Sequence, residues 1–114
     1  ARLKRAWAEW FESYDLLLCP VLPLAAFPHN HDAPMAERTL VINGTEVPYI
    51  GVLQWPGLIG VVGLPAAVPP LARTPAGLPV GMQVVAPYLR DRDAVRAAGL
   101  IAEIAGGYEP PPGF

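Results

Sequence analysis

At 114 residues, with 53% hydrophobic and 16% charged residues, the chain has the length of one small domain but an unusually apolar composition. A globular average is about one quarter charged, so we expect another segment or a partner to cover part of its surface. The net charge of -2, without a basic run, provides no electrostatic site for nucleic acid or an anionic membrane. Neither is therefore expected as a partner.

The first elements are predicted from the spacing of apolar residues. Residues 2–14 place bulky side chains at helical intervals among charged ones, which predicts an amphipathic helix. Residues 16–19 form an unalternating apolar run ending at Pro20, typical of a short strand covered on both faces in a parallel or mixed sheet. The stretch 20–34 is rich in proline and lacks periodicity, so we predict a surface loop near the end of that strand.

A hairpin and a helix are predicted next. Asn43-Gly44 favours a tight turn within a hairpin at 39–48, because both residues tolerate a positive φ. Residues 49–60 predict a helix in which Pro56 forms a kink or opens a second turn.

The last third of the chain predicts a second hairpin and a final helix. Residues 64–72 and 78–86 predict two buried strands joined by the turn sequence RTPAG. A helix is then predicted through residue 105, with Asp93 as its N-terminal cap and two glycines at its end. Its apolar face is expected to contain Val95, Leu100, Ile101 and Ile104.

The single cysteine cannot form an internal disulfide, and no secretory signal or membrane-spanning segment is predicted. The longest uncharged stretch, 47–72, is interrupted by prolines, which argues against a membrane span. We therefore predict a cytoplasmic protein.

Two histidines in the proline-rich loop, His29 and His31, carry the most suggestive local chemistry, since imidazoles beside Asp32 can bind a transition metal. Zinc sites normally gather ligands from two separated segments, and the chain has no other histidine. We therefore predict a solvated loop at the rim of a cleft, with no metal site and no cofactor. The alternative, a small metal-binding protein, predicts stoichiometric metal in the purified material.

The candidate nucleophiles of the chain are its single cysteine and its single serine. Cys19 near the end of a strand forms a conceivable pair with His29 or His31, but its apolar surroundings favour buried packing. The only serine and the only lysine, Ser13 and Lys4, lie on opposite sides of the first helix, about 13 Å apart along its axis, and cannot form a pair.

Three polar or aromatic residues outside these pairs are also candidates for binding or packing. Trp55 beside Gln54 suits the wall of a small-molecule pocket, although core packing is the preferred interpretation. Gln83, within an apolar strand, must find hydrogen-bond partners and is expected to tie that strand to a neighbouring loop.

Three stretches carry a family resemblance through their order: YDLLLCPVLP, WPGLIGVVGLPAAVPPLARTPAGLPVGMQVVAP and GGYEPPPGF. The chain resembles, over nearly its whole length, the C-terminal part of amidase signature enzymes. The resemblance implies an α/β class, as the C-terminal portion of an α/β/α sandwich with a mixed sheet, here with about four to six short strands and two to three helices. It also implies a single segment, 1–114, with a variable loop and hairpin insertion at 20–50.

Enzymes of this family hydrolyse carboxamides or transfer the acyl group with a Ser, cis-Ser, Lys triad and a Gly- and Ser-rich loop. The chain has one serine, one lysine and no such loop, so the resemblance implies a C-terminal fragment that is inactive alone, with the triad outside this chain. It provides scaffold and part of the substrate cleft, and we assign no catalytic residue to it. The candidate cleft-lining residues are Cys19, His29, His31 and Trp55.

Two departures from the family pattern imply a more apolar cleft. Cys19-Pro20-Val21 stands where relatives often have Thr-Pro-Thr, and Gly60 stands where they often have an asparagine. The expected partners are the N-terminal part of an amidase domain or a second copy, and a small carboxamide substrate in the full enzyme. The alternative is a truncated, non-catalytic interaction module that oligomerises or docks on a partner through its apolar surface.

Overall fold

The computed structural model describes residues 1–113 and contains three α-helices, two 3-10 helices and six strands. The helices are α1 (Arg2–Trp10), α2 (Gln54–Gly60) and α3 (Asp91–Ala105), and the 3-10 helices are Met35–Glu37 and Tyr49–Leu53. The strands are β1 (Leu17–Pro20), β2 (Thr39–Ile42), β3 (Thr45–Pro48), β4 (Ala66–Ala67), β5 (Pro70–Arg73) and β6 (Pro79–Val85).

The strand β6 lies at the centre of the main sheet. β1 pairs with one edge of β6, while β4 and then β5 pair with the other, and each of these pairings is antiparallel. The predicted second hairpin is therefore confirmed, but as a strand divided into β4 and β5, and β5 is largely exposed rather than buried. The division falls at Val68-Pro69, because a proline offers no amide hydrogen to the ladder.

Gly81 in β6 allows the strand to lie close to Val68 and Pro69, where β4 and β5 are divided. A Cβ atom at Gly81 would lie 2.7 Å from Cγ1 of Val68 and 3.4 Å from the carbonyl oxygen of Pro69. Gly81 is therefore required by close approach of the neighbouring chain.

The hydrophobic core lies on both faces of the main sheet. On one face, Cys19, Ile59 and Val85 form a buried cluster against residues of α1 and α2, including Trp7 and Trp55. Val84 points to the opposite face and is fully buried, and α3 packs against β4, β5 and β6. The sheet therefore lies between helices, which confirms the α/β class.

The first helix is shorter than the predicted span 2–14. It ends at Trp10, and the chain continues in turns in which the amides of Glu12 and Ser13 bond to carbonyl groups three residues earlier. Tightening of this kind is common at helix ends.

The final helix corrects two predictions. It begins at Asp91, and Asp93 does not cap it: the Asp93 carboxylate accepts a hydrogen bond from Arg90 instead. The predicted apolar face is also wrong, since Val95, Leu100 and Ile104 are exposed and only Ile101 is half-buried. The side that packs on the sheet is alanine-rich, with Ala94 buried, because small residues allow close approach. The predicted end is confirmed by Gly106, whose φ is 101°.

The segment between β1 and α2 follows the sequence prediction closely. The hairpin at 39–48 is confirmed, with φ of 51° at Asn43 and 80° at Gly44. Residues 21–34 form no helix or strand. The helix predicted at 49–60 is a 3-10 turn followed by α2, and Pro56 lies in the first turn of α2, where no backbone donor is needed. We refer to residues 21–48 as the loop–hairpin segment.

Among residues 1–113, no helix combines the length and apolarity that crossing a membrane requires.

Candidate functional site

The loop–hairpin segment and the first residue of the following 3-10 helix line a partly open cavity of about 150 Å³. We call this cavity the loop–hairpin pocket. Its walls come from the proline-rich loop on one side and from the beginning of β2 on the other. The lining residues are Phe27, Pro28, His29, Asn30, His31, Arg38, Thr39, Leu40 and Tyr49.

The two ends of the hairpin are joined beside the pocket. The amide of Tyr49 donates a hydrogen bond to the carbonyl of Arg38 at 2.9 Å, which places both side chains at the same end of the hairpin. The ring of Phe27 meets the ring of Tyr49 edge to face, with centroids 6.1 Å apart. An aromatic contact therefore packs the proline-rich loop against the residue that follows the hairpin.

The guanidinium group of Arg38 is held in a fixed orientation. Its Nε donates to the carbonyl oxygen of Ala33 at 2.7 Å, and its central carbon lies 6.0 Å from the centroid of the Tyr49 ring. Both contacts restrict the plane of the guanidinium group. Within residues 1–113, no carboxylate lies within ion-pair distance of it.

The loop that carries the two histidines is shaped by Asn30. Its Oδ1 accepts hydrogen bonds from the amides of Asp32 at 3.2 Å and Ala33 at 3.5 Å, forming an Asx turn. His29 and His31 are exposed, with their rings in a T-shaped arrangement at 5.5 Å. The solvated loop is confirmed, and among the described residues no group of three His, Cys, Asp or Glu side chains could hold a metal ion.

The other two candidate residues, Cys19 and Trp55, lie in the hydrophobic core. Cys19 is buried beside Ile59 and Val85, and Trp55 packs against the same cluster. The structure thus divides the four sequence-predicted residues into a core pair and a pocket pair. Their participation in a substrate cleft stays a prediction.

The buried amide of Gln83 has its partner in the sheet. Its Nε2 donates to Sγ of Cys19 at 3.3 Å, on the adjacent strand β1. The predicted bond to a neighbouring loop is therefore wrong: Cys19 and Gln83 face each other across the strand pair, so the nearest acceptor lies on β1.

The described residues contain no hydrogen-bonded nucleophile and base. Within 1–113, no hydrogen bond joins Ser13 or Cys19 to a lysine or histidine. The Lys4 ammonium instead lies 5.3 Å from the centroid of the Tyr88 ring. The loop–hairpin pocket is lined by aromatic and polar side chains, but within residues 1–113 the groups for covalent catalysis are not assembled.

Sequence reasoning missed Phe27, Arg38 and Tyr49 as pocket residues. Phe27 and Tyr49 are 22 positions apart, and only the folded loop brings them together. A usable signal was the position of Arg38 and Tyr49, immediately before and immediately after the predicted hairpin, where paired strands bring their ends together.

The main sheet, with helices on both faces, defines an α/β protein. The family model described as Amidase matches residues 1–95, and the chain belongs to the amidase family.

Similar proteins include indoleacetamide hydrolases and amidotransferase subunits. Indoleacetamide hydrolase of Bradyrhizobium japonicum is 33% identical over 102 residues, which is 90% of this chain and 20% of that protein. A glutamyl-tRNA(Gln) amidotransferase subunit of Helicobacter pylori (strain G27) is 34% identical over 84 residues, which is 74% of this chain and 16% of that protein. The chain thus spans about a fifth of the length of these curated relatives.

A solved structure shares the fold. This structure was described as a vestigial protein complex that reveals the evolutionary origins of an s-triazine catabolic enzyme. The match covers 95% of this chain and 23% of the chain in that structure, with a TM-score of 0.66 and 23% sequence identity. This likeness confirms the α/β fold expected from the resemblance to amidase signature enzymes.

Proposed function

We propose that this chain is a C-terminal segment of an amidase that hydrolyses the C–N bond of a carboxamide. In this proposal the Ser, cis-Ser, Lys triad lies outside the chain. The chain supplies part of the central sheet as scaffold, and its loop–hairpin segment supplies one wall of the substrate cleft.

The exposed surface is the observation that carries the proposal. A folded monomer of 12.2 kDa is expected to expose about 6,100 Å². This chain exposes 8438 Å², and its radius of gyration is 16.2 Å. The expected radius for this length is about 13 Å. The chain therefore has much more surface than a self-sufficient domain of its size.

Large apolar side chains are exposed at positions where a larger sandwich would continue. Within residues 1–113, β1 pairs along one edge only, so its other edge is open to a further strand. Leu18, on the same face as the buried Val84, is 52% exposed. On α3, Ile104 is 88% exposed. These positions are suited to burial against the rest of an amidase domain.

The chemistry of the described residues supports a binding role for this segment. No nucleophile and base are hydrogen-bonded together among them, so hydrolysis would require groups from elsewhere in a larger polypeptide. The loop–hairpin pocket, in contrast, offers an aromatic wall and convergent polar groups, which are features of small-molecule sites.

The mass of the native polypeptide tests the proposal directly. An antibody raised against residues 86–114 is expected to detect a band several times larger than 12.2 kDa in an immunoblot of source cells. A band at 12.2 kDa would contradict the proposal and would favour the alternative, a non-catalytic interaction module that covers its apolar surface by association.

Turnover of an amide tests the activity. The purified native polypeptide is expected to release ammonia from a carboxamide, and indole-3-acetamide is the first compound to assay because relatives are named for its hydrolysis. Residues 1–114 alone are expected to show no turnover above background. Turnover by residues 1–114 alone that is lost on Cys19→Ala would contradict the assignment of the triad to another part of the polypeptide.

A further inference from the structure

We propose that the loop–hairpin pocket binds a planar carboxylate of about one ring in size, with Arg38 as the carboxylate-binding residue. The inference deepens the proposed function and rests on it for one point, that the pocket opens on the substrate cleft. It is carried by the juxtaposition of a fixed guanidinium group and an aromatic wall in a cavity of this volume.

The size of the ligand follows from the volume of the cavity. An apolar cavity of about 150 Å³ is large enough to hold a benzene molecule, and the loop–hairpin pocket, which is partly open and lined by aromatic and polar residues, has about that volume. Phe27 and Tyr49 both line the pocket and meet edge to face, so the pocket has an aromatic wall. A single planar ring therefore fits the pocket in volume and in the character of its walls.

The charge of the ligand follows from Arg38. The Nε of this residue is occupied by the Ala33 carbonyl, and Tyr49 restricts the plane of the guanidinium group. Within residues 1–113, its Nη1 and Nη2 donate no hydrogen bond and no carboxylate pairs with them. A planar guanidinium group held in this way has its terminal donors available to the two oxygens of a carboxylate.

The remaining lining residues agree with an anionic ligand. Neither aspartate nor glutamate lines the pocket, although Asp32 and Glu37 are close in sequence. His29 and His31 add side chains that can donate hydrogen bonds, whereas the Thr39 hydroxyl already donates to Oε1 of Glu46. A cationic ligand would meet Arg38 without any compensating carboxylate, so the pocket disfavours it.

Isothermal titration of the complete native polypeptide with three probes tests the assignment. Benzoate is planar and anionic, nitrobenzene has the same shape and two oxygens without a net charge, and cyclohexanecarboxylate is anionic but not planar. We expect benzoate to bind more tightly than either of the other two. Arg38→Gln is expected to weaken benzoate binding by about tenfold or more, since a charge-assisted bidentate contact is lost, and to leave nitrobenzene binding unchanged.

Two further variants separate the carboxylate contact from effects on folding. Arg38→Lys keeps the charge but removes the planar fork, so we expect an intermediate affinity for benzoate. Arg92→Gln, on the exposed side of α3, removes the same charge away from the pocket and is expected to leave benzoate binding unchanged.

Two results would overturn the inference. The first is benzoate binding that is equally tight in the Arg38→Gln variant. The second is equal weakening of benzoate and nitrobenzene, which would show that Arg38 only supports the loop. Amide turnover is measured separately, so the two proposals fail independently. A polypeptide that hydrolyses no amide but binds benzoate through Arg38 would contradict the proposed function and support the ligand assignment.

Discussion

The main sheet and the loop–hairpin segment differ in how their residues are held. In the sheet, residues 83–86 are all buried, and their neighbours come from parts of the chain far away in sequence. In the loop–hairpin segment no residue is buried, and the segment is held by a tight turn, an Asx turn and a contact of Phe27 with the adjacent Tyr49. The segment can therefore change its sequence without disturbing the sheet, which suits a region that selects ligands.

Replacing a valine by alanine in each region is expected to give the largest difference in the free energy of unfolding. Val85 is 0% exposed in β6, and Val85→Ala is expected to lower the free energy of unfolding by about 2 to 3 kcal/mol, because two buried methyl groups are replaced by a cavity. Val41 is 65% exposed in β2, and Val41→Ala is expected to change the free energy of unfolding by about 0.5 kcal/mol or less. Denaturant unfolding of the native polypeptide measures both. A cost above 1 kcal/mol at Val41 would show that another part of the polypeptide packs on the hairpin.

Replacing a glycine by alanine in each region is expected to give a smaller difference in the free energy of unfolding. Gly81→Ala is expected to lower the global free energy of unfolding by about 1 to 2 kcal/mol, because the new methyl group meets Val68 and Pro69. At Gly44 nothing lies within 4 Å of a new methyl group, but a φ of +80° strains any other residue. Gly44→Ala is expected to increase amide hydrogen exchange in β2 and β3 with little change in global stability. Equal global losses at the two positions would contradict the independence of the regions.

The smallest effect is expected at an exposed hydrogen bond within the hairpin. The hydroxyl of Thr39 donates to Oε1 of Glu46 at the surface. Thr39→Val is expected to change the free energy of unfolding by about 0.5 kcal/mol or less, because water replaces the lost partner. Glu46→Gln serves as the control for the charge. A loss above 1 kcal/mol in the thermal unfolding of Thr39→Val would show that this bond is sheltered from water in the native polypeptide.

Local signals predicted the elements well. Asn43-Gly44 defines its hairpin through backbone preferences of two adjacent residues, and Gly106 ends α3 for the same kind of reason. The order of helices and strands followed from such local features, whereas the α/β class was implied by the resemblance to amidase signature enzymes.

Features that depend on distant parts of the chain were not predicted. The apolar pattern of α3 suggested a face containing Leu100 and Ile104, whereas the sheet accepts the alanine side at Ala94. The partner of Gln83 is 64 positions away, at Cys19. In the pocket, the histidine loop was placed at a cleft rim from sequence alone, but Arg38 was overlooked because its orientation depends on contacts that only the folded loop provides.

The pairing of β1 with β6 has a consequence for the order in which the chain folds. The strand at residues 17–20 cannot pair until residues 79–85 have been made, and translation proceeds at about 5 to 20 residues per second. At those rates, an apolar strand remains without β6 for roughly 3 to 13 s during synthesis. The loop–hairpin segment lies within that interval, so each residue inserted there prolongs the period in which the nascent chain is exposed to misassembly and to chaperones.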